Sequence, residues 1–381
     1  MPPARLPALA LLALALAACG GGKAPDAASP ADPAAAQQGP RQLNIYNWSD
    51  YVAEDTIARF EKETGIKVVY DVYDSNEMLE AKLLAGSSGY DVVFPSARPF
   101  AQRHILANLY LPLDRAKLPG WGNLDPAVLA ALEDVDPGNR HLVPYMWGTT
   151  GIGYNVAKVR ERLGADFPID SWNLIFDPAA AAKLGDCGIA VLDDEQEGFG
   201  AALIYLGRDP NGVGGGEIEA AAELFGKVRP FIRYFHSSKY IDDLANGEIC
   251  VAMSYNGDVL QARDRASEAA NGVEVAYVIP KEGALRWIDS AAIPTDAPHA
   301  ANALVFLEFL LRPDVIAPIS DYVSYASANL AAKPLVDESV RNDPGIYPAP
   351  EVLARLVDPK KLPENESRAR VRAWTSIKSG S

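Results

Sequence analysis

Trp48-Ser49-Asp50-Tyr51 sets an indole, a hydroxyl, a carboxylate and a phenol in four consecutive positions, one residue after the strand-like run Leu43-Asn44-Ile45-Tyr46. Aromatic faces attract organic ammonium groups by cation–π contact, and a carboxylate does so by charge-assisted hydrogen bonds. The net charge of −15 argues against a nucleic-acid partner and suits a cationic ligand, although solubility alone also accounts for such a charge. Covalent and metal chemistry find little footing. The chain contains no G-x-S-x-G, S-x-x-K or H-E-x-x-H motif, and its four histidines (His104, His141, His236 and His299) stand singly. No catalytic residue, metal ligand or cofactor motif is assigned.

The elements that must position the Trp48 segment alternate between strand and helix. Leu43–Tyr46 reads as a strand, and Glu54–Thr64 as a helix with Ile57, Ala58 and Phe60 on one side and Gly65 at its end. Ile66–Val72, Asn76–Leu84 and Tyr90–Phe94 continue as strand, helix and strand. This βαβαβ order predicts an α/β fold with a mostly parallel sheet flanked by helices. Ligands gather at the carboxyl ends of such strands, so Asn47–Tyr51 and Pro95–Ala97 are expected to line one crevice. A second α/β region begins near Gly148, with strands at Gly188–Leu192 and Ile249–Ser254 and helices near Phe199–Leu206 and Glu217–Phe225. Val273–Pro280 reads as the strand that returns the chain to the first region. Ala300–Leu311 is an apolar helix stopped by Pro313, and Gly212–Gly216 reads as a flexible loop.

The chain opens with an address. Residues 1–18 combine one Arg, a short apolar run and small residues, the pattern of a secretory signal too short to span a membrane as a helix. Leu16-Ala17-Ala18-Cys19 is similar to a bacterial lipobox, which makes Cys19 the expected lipidated residue. Residues 19–41 lack aromatic residues and are rich in Ala, Pro and Gly, the composition of a flexible tether. The remaining two cysteines, Cys187 and Cys250, form an even pair that in an exported chain invites a disulfide.

Longer blocks carry a family likeness. They include Ile45–Tyr51, Phe60–Asp71, Pro144–Asn155, Ile232–Ser238, Asp242–Gly247, Ile279–Gly283 and Leu311–Val315. In these blocks the chain resembles the putrescine- and spermidine-binding members of the periplasmic solute-binding proteins that serve bacterial ABC importers. The resemblance implies a two-lobed fold of type II with two hinge crossovers. The first lobe would comprise residues 42–147 plus 287–325, and the second 148–286 plus 326–381. It implies a monomer in the periplasm that captures a small cation (putrescine, cadaverine, agmatine or spermidine). The cargo would pass to an ABC permease in the inner membrane, the lipid on Cys19 being the only membrane contact. No cofactor and no enzymatic step are implied.

Position by position, the family's ligand set falls on Trp48, Ser49, Asp50, Tyr51, Ser96, Glu197, Tyr255, Asp258, Trp287, Asp289 and Tyr325. Four carboxylates and a group of aromatics suit a ligand with two ammonium ends and an apolar stem, because a buried ammonium needs a paired acid. The resemblance also implies that Cys187 and Cys250 are bridged within the second lobe.

Departures from the family pattern frame the alternatives. Tyr255 stands where the family usually has Trp, with Asn256 after it in place of a small apolar residue. Trp287 is closer to the spermidine-binding branch. Arg98 lies near a ligand-touching position, where a guanidinium would repel a second ammonium or select a zwitterion. Arg286 raises the same question more weakly, since neighbouring strand residues face opposite ways. A polyamine sensor on the same fold is one further reading. An exported hydrolase using Glu197 with Asp258 or Asp289 is the remote one.

Overall fold

The computed structural model describes residues 41–380; the expected signal, the lipobox Cys19 and all but the last residue of the tether lie outside them. The apolar runs form eleven strands: β1 (Gln42–Trp48), β2 (Lys67–Tyr73), β3 (Val92–Val93), β4 (Leu142–Asn155), β5 (Ile189–Val191), β6 (Ile232–Phe235), β7 (Val251–Tyr255), β8 (Val275–Val278), β9 (Ala284–Ala292), β10 (Ala326–Ser327) and β11 (Leu356–Val357). They join in the order β2-β1-β3-β9-β4-β7-β5-β6, with β8 and β10 on β4 and β11 on β9.

Each wing of this arrangement is parallel and the middle is antiparallel. β1 pairs in parallel with β2 and β3, and β5 does so with β6 and β7. Between the wings run β4 and β9, antiparallel to each other across a register shift between Pro144 and Trp147. They are the two crossovers between lobes. Nearly all of the 14 residues of β4 are buried, as expected of a strand covered on both faces.

The buried side chains separate accordingly. One core gathers Ile152, Trp172, Ile189, Phe199, Phe225, Tyr240, Val251 and Trp374. Others gather Leu43, Ile45, Phe60, Phe94, Phe306 and Ile319, and Tyr46, Tyr73, Leu79 and Val93. Ala332 and Val336 pack with the first-lobe group, so the chain stays there beyond residue 325 before the helix Glu364–Ser379 docks on the second core. Cys187 and Cys250 are bridged inside the second lobe, with Cα atoms 5.5 Å apart.

Local signals hold closely at the start of the chain. Helix α1 (Thr56–Thr64) ends at Gly65, whose φ of 70° takes the left-handed cap that glycine tolerates. Helix α2 (Asn76–Leu84) starts on Ser75, whose hydroxyl accepts from the Met78 amide at 3.2 Å.

Three expectations of local structure are corrected. β8 does not return the chain to the first lobe: it pairs with Ile152–Asn155 at the second-lobe end of β4, and β9 makes the return. β9 carries Arg286, Trp287, Asp289 and Ser290, too many polar groups for an alternating pattern to reveal it. The helix expected at Phe199–Leu206 begins four residues earlier, at Glu195, because Asp194 caps it by accepting from the Glu197 amide at 3.0 Å. Of the stretch expected as a loop at Gly212–Gly216, only the first part is one, since a helix begins at Gly215.

Candidate functional site

The carboxyl ends of the parallel strands and the first turns of two helices converge on one cavity between the lobes. Trp48 ends β1, and Asp50 takes a positive φ of 51° in the turn that follows. Ser96 follows β3 and bridges to Asp289 on β9. From the second lobe come Tyr255 at the end of β7, Asp258 in the first turn of the helix Asn256–Glu268, and Glu197 in the first turn of the helix Glu195–Tyr205. All eleven residues of the expected ligand set line this cavity, which encloses about 920 Å³ with its mouth included.

An aromatic wall connects two acids. The rings of Tyr51 and Tyr325 lie 5.8 Å apart, Tyr325 and Trp287 4.9 Å, and Trp287 and Tyr255 5.8 Å, all edge to face. At one end the Tyr51 hydroxyl donates to Asp289 Oδ2 at 2.9 Å. At the other, the Tyr240 and Tyr325 hydroxyls each donate to Asp258 at 2.5 Å, one to each oxygen. Supporting bonds fix these groups. Tyr145 Oη donates to the Tyr51 carbonyl at 2.7 Å, Trp48 Nε1 to the Phe94 carbonyl at 2.8 Å, and Asn76 Nδ2 to Ser96 Oγ at 3.0 Å.

Two glycines make room for the wall. A Cβ on Gly148 would meet Trp287 at 2.4 Å and Asn256 at 2.3 Å, and one on Gly257 would meet Tyr325 at 2.6 Å. Asn256 itself has a structural task. Its Oδ1 accepts from the Thr149 amide and its Nδ2 donates to the Gly345 carbonyl, both at 3.0 Å, tying β4 to the later chain.

The acids are poorly compensated. Burial pushes Asp258 and Asp289 up to about 6, against the phenol and hydroxyl donors that favour their charged forms. Glu197 is pushed up to about 8, first by burial and then by the nearby charge of Asp194. Among the described residues, Glu197 Oε2, Asp289 Oδ1 and Trp287 Nε1 are all buried without a hydrogen-bond partner. Buried polar atoms in a native fold are almost always paired, so a cluster of exceptions at one cavity marks a place built to receive polar groups.

Both arginines in question are engaged elsewhere. The guanidinium of Arg98 donates to the Ala131 carbonyl and to Asp134, although the residue borders the cavity. Arg286 holds Asp358 through two bonds of 2.7 Å, on the strand face opposite to Trp287. His236 accepts from the Ser238 and Lys239 amides, each at 3.1 Å, and so caps a turn.

The cavity also contains residues that sequence reasoning did not select, among them Tyr73, Asp74, Asn76, Asp194, Gln196 and Gln261. Asp194 carried a signal, since an acid three residues before Glu197 is a helix-start pattern. Asp74 and Gln261 carried none. Only the packing of the two lobes brings them to a common space.

Comparisons with known proteins agree with this geometry. Residues 55–348 match the family described as bacterial extracellular solute-binding protein. The chain is 55% identical over 338 residues to the putrescine-binding periplasmic protein SpuD of Pseudomonas aeruginosa, covering 89% of this chain and 92% of that protein. It is 55% identical over 341 residues to the putrescine-binding periplasmic protein PotF of Escherichia coli, with coverage of 89% and 92%. Among solved structures, a putative spermidine/putrescine ABC transporter from Listeria monocytogenes superposes with a TM-score of 0.78 at 31% identity, over 89% of this chain and 99% of that one. A cleft of buried acids and aromatic faces between two α/β lobes, with a family match across most of the chain's length, makes this chain a member of the bacterial extracellular solute-binding protein family and a binding protein rather than an enzyme.

Proposed function

We propose that this chain is a periplasmic solute-binding protein that captures a di- or polyamine, putrescine-like in the first instance, and delivers it to an ABC permease. One observation carries the reading: three buried carboxylates, Glu197, Asp258 and Asp289, face a common cavity with raised proton affinities and, among the described residues, no cation in hydrogen-bond contact. A buried acid in this condition is stabilised by an ammonium group brought from outside. Asp258 and Asp289 take the ammonium ends. Tyr51, Tyr255, Trp287 and Tyr325 cover the methylenes, with Trp48, Ser49, Asp50 and Ser96 completing the first-lobe side.

Because both lobes supply acids, the ligand makes its full set of contacts only in the closed state and shifts the population toward it. The engaged guanidinium of Arg98 leaves the cavity without a free internal cation, which favours polycations over zwitterions. Lipidation at Cys19 would anchor a monomeric protein to the membrane. Isothermal titration of residues 42–381, stripped of bound ligand, against putrescine, cadaverine, agmatine, spermidine and 5-aminovalerate tests the reading. One-to-one binding of a di- or triamine is expected. Heat from 5-aminovalerate alone would reject it.

A further inference from the structure

Arg98 stands at the edge of a cavity whose other titratable lining residues, phenols aside, are Asp50, Asp74, Asp194, Glu197, Asp258 and Asp289. Acids of this kind attract a guanidinium that comes near them in their charged forms, although Asp50 already faces Arg265 at 3.8 Å; Arg98 nevertheless points elsewhere. Its Nη2 donates both to the Ala131 carbonyl and to Asp134 Oδ1, and the side chain is only 9% exposed. Ala131 is the last residue of the helix Pro126–Ala131, so its carbonyl is free to accept and lies at the end of the helix that favours a cation. The segment bearing Asp134 is held in turn by Gln102, whose Nε2 donates to the Asp134 carbonyl at 3.0 Å.

We infer that Asp134 is a specificity-determining positioning residue: it holds Arg98 out of the ligand cavity and so keeps the site selective for ligands with two ammonium ends. The inference rests on the polyamine reading given above. The balance is set by two competing destinations for one charge. Toward Asp134 the guanidinium finds a carboxylate and a helix-end carbonyl. Toward the cavity it finds several acids, two of them bonded only to hydroxyl groups. With Asp134 removed, the carbonyl remains but the opposite charge is gone, and the cavity acids become the stronger attraction. An arginine turned inward would occupy an acid needed by the diamine and repel its second ammonium. It would also offer a carboxylate-bearing ligand a bidentate partner.

The test is a double-mutant cycle on residues 42–381, read by calorimetric titration with putrescine and with 5-aminovalerate. Asp134→Ala is expected to weaken putrescine binding at least about tenfold, the scale of a modest like-charge penalty, and to strengthen 5-aminovalerate binding. Adding Arg98→Ser in the Asp134→Ala background is expected to bring putrescine affinity back to within about threefold of the parent. Only an effect transmitted through the arginine is rescued in this way. Unchanged putrescine affinity in Asp134→Ala overturns the inference, as does a loss that persists in the double variant. The Asp134 side chain is 65% exposed, so the fold is expected to tolerate its removal, and thermal melting of each variant checks this. A parent protein that binds no di- or triamine would overturn the polyamine reading itself, a result distinct from either of these.

Discussion

Asp258→Asn separates the charge of the site from its shape. Asp258 accepts from the Tyr240 and Tyr325 hydroxyls, and burial pushes it from 3.8 up to about 6. That rise of about 2 pKa steps corresponds to roughly 3 kcal/mol by which the empty site disfavours the charged form. Asparagine has nearly the same volume, keeps one carbonyl oxygen for a phenol and carries no charge to desolvate. The empty variant at pH 8 is therefore expected to melt no lower than the parent. Ligand binding should move the other way. Removing one member of a buried ion pair costs roughly 2–5 kcal/mol, which raises Kd by roughly 30- to 5000-fold. Titration calorimetry with putrescine gives the affinity, and differential scanning fluorimetry with and without putrescine gives both melting temperatures. A Kd within about threefold of the parent would refute the ion-pair assignment. A large drop in the melting temperature of the empty variant would instead mean that Asp258 acts through folding.

Other predictions use the same two readouts. Asp258 and Asp289 at about 6 and Glu197 at about 8 lie above ordinary carboxylate values, so the folded empty protein holds extra protons. The stability they contribute is fully present below about pH 4 and is lost as pH rises through 6 to 8. Diamine affinity should rise over the same window with proton release on binding, and buffers of different ionisation enthalpy would expose its absence. Gly148→Ala should weaken binding by an order of magnitude or more, because the new methyl meets the Trp287 ring and the Asn256 carbonyl oxygen; unchanged affinity would mean that the wall tolerates displacement. Replacing Cys187 and Cys250 together by Ser opens a loop spanning 63 positions and should cost about 4 kcal/mol of stability on the chain-entropy account. Denaturant unfolding measures it, and a loss below about 1 kcal/mol would contradict that account.

What the chain disclosed unaided was local. Trp48 to Tyr51 announced ammonium chemistry because four functional groups in a row need no partner from elsewhere to be recognised. Helices α1 and α2 and the first strands were legible because apolar periodicity and a terminal Gly act within a few residues. The family's ligand set, carried over position by position, then supplied Glu197, Asp258, Asp289 and Tyr325, which no local rule would have joined. The return to the first lobe was misplaced at Val273–Pro280, because a strand such as β9 that carries pocket residues cannot also keep a clean apolar alternation.

Three matters were settled only in three dimensions. Arg98 was ambiguous in sequence because its direction depends on Asp134 and on the Ala131 carbonyl, more than 30 positions away. The raised proton affinities of the cavity acids come first from burial between lobes, which the chain's order alone does not reveal. Asp74, Asn76 and Gln261 joined the cavity through the packing of β4 and β9 between the wings. Residue type and short-range spacing therefore determined which ligand chemistry the protein can offer. Long-range packing decided which charges face the ligand, because electrostatic strength depends on what excludes water and on which partner stands nearest.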